Sequence, residues 1–300
     1  MNNLINKQLD VLGGQKNNEN KISQNRHFRE SIRPLYRRLR KSYYGLLNEE
    51  VKLPNFLIVG GQKCGTSSLH HYLANHPSVW SPEKKELHFF DYYYDYGVPF
   101  YKRFFRKQPD NIADLLVGEA TPEYIFHPYS AERISEVLPE VKAIVLLRNP
   151  IERAFSAWGM GVRQGWESLN FEDAIAAEGQ RIKGDLYKMS TDKNFYGYEW
   201  NHHSYLLRGH YSHQIENWLL HFKRENLLVL SAERFFSNTK EEFKKVCEFL
   251  ELDEWYPEEF KNMFVGLNNE LSIKTRKELE TYFQPYNQEL YALIEDDYAW

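Results

Sequence analysis

Cysteine is almost missing from this chain, which has 300 residues and only Cys64 and Cys247. Cys64 falls in a glycine-bracketed loop and Cys247 in a helical pattern, so no bridge is expected, and two cysteines are too few for a structural zinc site. Long apolar runs are missing as well. Nothing approaches the ~18 residues needed to span a bilayer and no signal-peptide core follows Met1, so no transmembrane segment is expected and the expected compartment is the cytoplasm. Net charge is small, −4, which gives no global reason to expect nucleic-acid binding. No internal repeat is evident. What is present, 42% hydrophobic and 16% aromatic residues, is enough for a large core in one α/β domain with an extension.

That small net charge is unevenly spread. Residues 1–50 hold ten Lys/Arg and five Asp/Glu, a balance of +5 that leaves −9 on the remainder. Residues 1–27, rich in Asn and Gln, read as a flexible arm. Phe28 to Leu47, with Arg33, Arg37, Arg38, Arg40 and Lys41, reads as a basic helix or two. It either docks on the acidic body, the plainer reading, or binds an anionic acceptor or a membrane surface. The chain therefore divides into a basic extension, 1–50, and a body, 51–300.

The body alternates strand and helix signals. Strand-like runs at Phe56–Val59, Leu116–Gly118, Ala143–Leu147 and Leu227–Leu230 are separated by helical patterns near 66–75, 128–138, 150–164, 171–188, 203–222, 238–250 and 276–295. This predicts an α/β, P-loop-like three-layer fold, with a central parallel sheet flanked by helices and ligands at the C-terminal strand ends. Residues 159–203, polar and aromatic, read as an acceptor-side insertion.

The most informative stretch is Phe56 to Leu73, which passes from a buried strand through a glycine-bracketed loop into a helix, with Lys63 inside the loop. Gly60, Gly61 and Gly65 allow sharp turns and close approach of backbone N–H groups, and the helix beginning near Thr66 aims its positive end at the same place. This is an anion pocket but not a Walker A loop, because Thr66-Ser67 stand where Lys-Ser/Thr would follow Gly65. The second apolar strand, Ala143–Leu147, ends in Arg148-Asn149-Pro150. Magnesium-dependent P-loop enzymes commonly place an aspartate at that end; here there is a fixed positive charge. Asn149 is an N-cap candidate, Pro150 suits the first helical turn, and Ser156, two turns in, offers a hydroxyl to the same anion. Two separated anion sites without an evident metal ligand suggest a nucleotide phosphorylated at two places.

Gln62-Lys-Cys-Gly-Thr-Ser67, Lys85-Glu-Leu-His-Phe-Phe-Asp91 and the pair Arg148 and Ser156 together resemble sulfotransferases that use 3′-phosphoadenosine 5′-phosphosulfate (PAPS), especially the heparan sulfate sulfotransferase branch and its bacterial relatives. Gly118–Tyr124, Ser204–Tyr211 and Phe283–Tyr291 resemble other recurring segments of that family, so the similarity runs from about residue 54 to 300. The animal heparan enzymes usually carry a membrane anchor and a disulfide near a C-terminal cofactor loop, neither of which this sequence offers.

The resemblance implies that the loop Gln62, Lys63, Cys64, Gly65, Thr66 and Ser67 holds the 5′-phosphosulfate and that Arg148 with Ser156 holds the 3′-phosphate. It further implies that Glu86 is the base, that His88 matches a family histidine, and that the bisphosphate PAP is the product, with no metal required. An extended stretch would put Glu86 and His88 on one side. The matching C-terminal loop is expected near Ser272–Lys277, with Lys274 or Arg276 reaching the cofactor. The implied reaction is in-line sulfuryl transfer to a hydroxyl or amine of a glycan, lipid or small metabolite. Plainer readings stand beside these: Lys63 as a solvated lysine, Arg148 salt-bridged to Glu119, Ser156 bonded within its helix, Glu83–Glu86 as a charge run, His88 in a core, and Tyr92–Tyr96 as packing. A small-molecule kinase and a noncatalytic nucleotide or glycan binder are the alternative functions.

Overall fold

The computed structural model describes Tyr43, residues 50–260 and residues 271–300. The expectations for the arm and for the basic segment, Tyr43 apart, lie outside these residues. In chain order the elements are β1 (Phe56–Gly60), α1 (Thr66–Ala74), β2 (Val79–Trp80), α2 (Val98–Lys102), β3 (Leu116–Ala120), α3 (Ser130–Val137), β4 (Lys142–Leu147) and α4 (Pro150–Gln164). They continue with α5 (Phe171–Thr191), α6 (Tyr198–His203), α7 (Tyr211–Leu219), β5 (Leu227–Ser231), α8 (Ala232–Ser237), α9 (Thr239–Phe249) and α10 (Ile273–Ile294).

The strands form one five-stranded parallel sheet in the order β2-β3-β1-β4-β5. Side chains alternate across it. Leu57, Val59, Val117, Ala143, Val145 and Leu147 enter one core, and Phe56, Ile58, Ala120, Ile144 and Leu146 enter the other. Both faces are therefore covered, as continuous apolar runs in a parallel sheet require, and the three-layer α/β architecture is as expected. From β1 the chain moves outward on one side and then crosses, between β3 and β4, to the other. The loop after β1 thus leaves the sheet where the winding reverses, the place where open α/β sheets bind ligands.

Three expectations need correction. The sheet has a fifth strand, β2, whose two residues are too few to show a periodicity. The single helix expected at 203–222 is broken: a 3₁₀ turn at Leu207–Gly209 separates α6 from α7. The buried Glu178 carboxylate accepts the N–H groups of Leu206 at 2.6 Å and Leu207 at 2.9 Å, offering the backbone a partner other than a helical carbonyl. Finally, Ser272–Lys277 is not a loop. Ser272 caps the N-terminus of α10 by accepting from Thr275 N at 3.1 Å.

Candidate active site

A cleft of about 570 Å³ opens beside the loop after β1, lined by that loop and by residues from 85–92, 122–123, α4 and 196–208. Lys63 adopts φ 67° and Gly65 φ 94°. Gly65 is required twice over: its φ disfavours a side chain, and a Cβ would lie 2.5 Å from the Phe236 ring. It occupies the N-cap of α1 without a side-chain cap, so the first N–H donors of the helix face the cleft at Thr66 and Ser67, as an anion site needs. Gln62, Lys63, Gly65, Thr66 and Ser67 all line the cleft. Burial lowers the Lys63 pKa, and the positive charges of Arg163 and then Arg148 lower it further.

Cys64 differs from its loop neighbours. Its side chain is fully buried, packed with Leu69, Ile144 and Leu146, and burial pushes its thiol up to about 11. Its backbone N–H donates to the Gly61 carbonyl at 3.2 Å, and alone among residues 62–67 it does not line the cleft, so Cys64 shapes the loop from behind.

Glu86 and His88 are not extended: both have left-handed backbone, at φ 60° and 53°. They converge all the same, His88 Nε2 lying 3.9 Å from Glu86 Oε2. Lys85 Nζ donates to Ser67 Oγ at 2.9 Å and to Glu86 Oε1 at 3.1 Å, tying the carboxylate to the phosphate loop. Lys84 points elsewhere, toward the Phe104 ring, and Glu83 pairs with Lys107 on the surface. The charge run therefore splits in two: Glu83 and Lys84 stay outside while Lys85 and Glu86 enter the cleft.

Behind His88 stands a residue to which the sequence reading gave no role. Buried Asp91 accepts from His88 Nδ1 at 2.7 Å and from Tyr92 N at 2.6 Å. Burial alone would lower the His88 pKa, but the hydrogen bond and charge of Asp91, with Glu123 and Glu86 beyond, raise it overall. The Tyr92 ring stacks on His88 at 4.7 Å, and its hydroxyl donates to Asn201 Oδ1 at 2.7 Å. Deeper still, Arg208 makes two hydrogen bonds to Glu123, at 2.8 and 2.9 Å, both side chains being nearly buried. The only sequence cue to Asp91 was its i, i+3 spacing from His88, while Glu123 and Arg208 are separated by 85 residues.

Arg148 follows β4, its guanidinium 3.5 Å from the Lys63 carbonyl and 3.9 Å from Glu152. It does not pair with Glu119, which instead accepts from the hydroxyls of Tyr101, Thr121 and Tyr124. Asn149 caps α4 as expected, taking the N–H groups of Ile151 and Glu152, so those two donors already have a partner. Ser156 is buried on α4; its helix neighbours Ala157, Met160 and Arg163 line the cleft, whereas Ser156 and Arg148 do not. Lys274 is not brought to this place; its side chain is 86% exposed and faces Glu278. Arg276 comes nearer, 2.7 Å from Glu152. Trp166, Tyr196, His202 and Tyr205 supply an aromatic outer wall, drawn in part from the stretch expected on the acceptor side. Among the described residues no group of three or more His, Cys, Asp or Glu could hold a metal ion.

A helix N-terminus and a lysine in a loop after the central strand, with a carboxylate in the same cleft, define a P-loop-like site suited to an anionic ligand. The chain belongs to the sulfotransferase domain family, whose profile matches residues 53–278. It is similar to the membrane-associated sulfotransferase kil1 of Dictyostelium discoideum, 25% identical over 83% of this chain and 66% of that protein. It is also similar to human heparan sulfate glucosamine 3-O-sulfotransferase 3A1, 27% identical over 85% of this chain and 64% of that protein. The chain thus spans just under two thirds of the length of these curated relatives. A solved sulfotransferase from Alicyclobacillus acidocaldarius is 32% identical with a TM-score of 0.66, over 82% of this chain and 98% of that one.

Proposed function

We propose that this chain transfers a sulfuryl group from PAPS to a hydroxyl or amine, releasing PAP. The observation that carries this reading is the convergence on one cleft of the uncapped α1 N-terminus, Lys63 and Glu86, with Lys85 joining the loop to the carboxylate. Lys63 and the loop N–H groups would stabilise charge growing on the leaving phosphate. Glu86, 47% exposed and open to the cleft, would accept the acceptor proton, a contribution of ~10²–10⁴-fold. His88, held by Asp91 and 3.9 Å from Glu86 Oε2, would orient that carboxylate. Arg148 and Ser156 are the proposed 3′-phosphate contacts, with Arg276 preferred over Lys274 as their basic neighbour.

The donor's negative charge would be met at its reacting end by Lys63 and Lys85, which line the cleft, and at the 3′-phosphate by Arg148, whose guanidinium lies 3.5 Å from the Lys63 carbonyl. The acceptor class we propose is a glycan, lipid or small metabolite that can lie against Trp166, Tyr196 and Tyr205. Two free, buried thiols suit a reducing cytoplasm, the compartment we propose. No helix among the described residues is long and apolar enough to cross a membrane.

Calorimetry with adenosine 3′,5′-bisphosphate and AMP tests the donor assignment. A charge-assisted contact contributes about 1.5–3 kcal/mol, so the bisphosphate should bind at least about tenfold more tightly. Equal affinities would remove the second phosphate site.

A further inference from the structure

Arg163 has no place in the assignments above, yet it faces the cleft. It lies on the stripe of α4 that runs Ser156, Met160, Arg163, spaced i, i+4, i+7. Met160 and Arg163 line the same cleft as Lys63 and Glu86. Seven residues of helix put it roughly 10 Å from Ser156, too far along to share the 3′-phosphate proposed there. Among the described residues its guanidinium makes no ion pair or hydrogen bond, and the cleft carboxylates Glu86 and Glu123 are taken by Lys85 and Arg208.

Its field is felt at the loop. After burial, the charge of Arg163 is the largest cause lowering the Lys63 pKa, ahead of Arg148. Two cations held in one cleft repel each other until an anion comes between them. The anion that belongs between a leaving-group lysine and a base is the group in transit.

We propose that Arg163 is a further catalytic residue, which contacts the non-bridging oxygens of the sulfuryl group beside Lys63 and stabilises them as the group moves. This rests on the sulfuryl-transfer reading. In the step itself, an acceptor oxygen or nitrogen bonds to sulfur while the bond from sulfur to the bridging phosphate oxygen breaks. The bond pair leaves with PAP and the acceptor proton passes to Glu86. Arg163 exchanges no proton. A planar guanidinium suits two oxygens of one tetrahedral group better than an ammonium does.

The position has a plainer explanation, since a basic residue in the last turn of a helix is favoured by the helix dipole. The two separate in binding experiments on the full chain with no acceptor present. PAP lacks the sulfuryl group and PAPS carries it. Arg163→Gln should bind PAP as the parent does, lose about tenfold or more in PAPS affinity, and hydrolyse PAPS to PAP and sulfate more slowly. Arg163→Lys should recover part of both losses. If the variant has an unchanged ratio of PAPS to PAP affinity and only a lower thermal midpoint, Arg163 serves the helix end and the proposal is overturned. It is equally overturned if PAPS binding and hydrolysis are unchanged and only the KM of a later-identified acceptor rises. A parent chain that binds neither nucleotide brings down the sulfuryl-transfer reading itself, whereas normal parent binding with an indifferent Arg163 brings down this inference alone.

Discussion

Replacing Asp91 by Asn should unfasten His88 in a way that pH reveals. Asp91 is 3% exposed and accepts from both His88 Nδ1 and Tyr92 N. Asparagine can still accept the Tyr92 N–H, so what it loses is the charge facing the imidazole. Burial opposes the charge on His88, but the hydrogen bond and charge of Asp91, together with Glu123 and Glu86, raise its pKa above the ordinary value of 6.5. A raised histidine pKa means that the folded state binds the proton more tightly than the unfolded state. The associated stability is therefore fully present below about pH 6.5 and is lost as the pH rises through the folded value. A hydrogen bond to a charged group contributes about 1.5–3 kcal/mol, and the His88 side chain is only 26% exposed, so little of this is lost to solvent screening. Urea denaturation should show Asp91→Asn less stable than the parent by about that amount near pH 5.5, with a smaller gap near pH 9. NMR titration of the His88 ring should show a lowered pKa. A gap that stays constant with pH, together with an unmoved His88 titration, would refute the electrostatic account of this pair.

Other outcomes follow from the same geometry. Glu123→Gln leaves the Arg208 guanidinium buried with a neutral partner, so thermal denaturation should show a loss of about 3–5 kcal/mol, the usual result of breaking a buried pair from one side. Gly65→Ala meets both a φ of 94° and the Phe236 ring; it should cost about 1–3 kcal/mol of stability and weaken PAP binding in calorimetry, because the N–H groups of α1 shift with it. Cys64, with its thiol raised to about 11 and fully buried, should resist iodoacetamide near pH 8 in the folded protein and react on unfolding, as read by mass spectrometry.

Local chemistry made much of this molecule legible in advance. Apolar runs flanked by glycine or by Arg-Asn-Pro announced β1 and β4, and the same punctuation placed Lys63 in the loop and Asn149 at the α4 cap, because strand periodicity and capping act over a few residues. Glu86 and His88 were identified as neighbours for a reason that does not hold: their left-handed backbone, rather than an extended strand, brings them together. Backbone sign at a non-glycine residue is set by tertiary packing, and no sequence pattern encodes it. Arg208 and Glu123 lay in separate segments, and only the fold joins them. The helix expected over 203–222 failed because Glu178, a residue of α5, takes two of its N–H groups, a competition invisible to any local window. Lys274, named with Arg276 because the resemblance places a cofactor loop there, sits on a helix that turns it outward.

The central claim is that Glu86 removes the acceptor proton in a cleft where Lys63 receives the leaving phosphate. It is tested most directly by single-turnover sulfuryl transfer from PAPS, followed by mass spectrometry with an acceptor found by panel screening. Glu86→Gln keeps the side chain's size and a hydrogen-bonding carbonyl but removes the basic carboxylate. The account predicts PAP affinity close to the parent's and a transfer rate lower by at least ~10²-fold, while Glu83→Gln, whose residue pairs with Lys107 on the surface, transfers at the parent's rate. Transfer at the parent's rate by Glu86→Gln would contradict it.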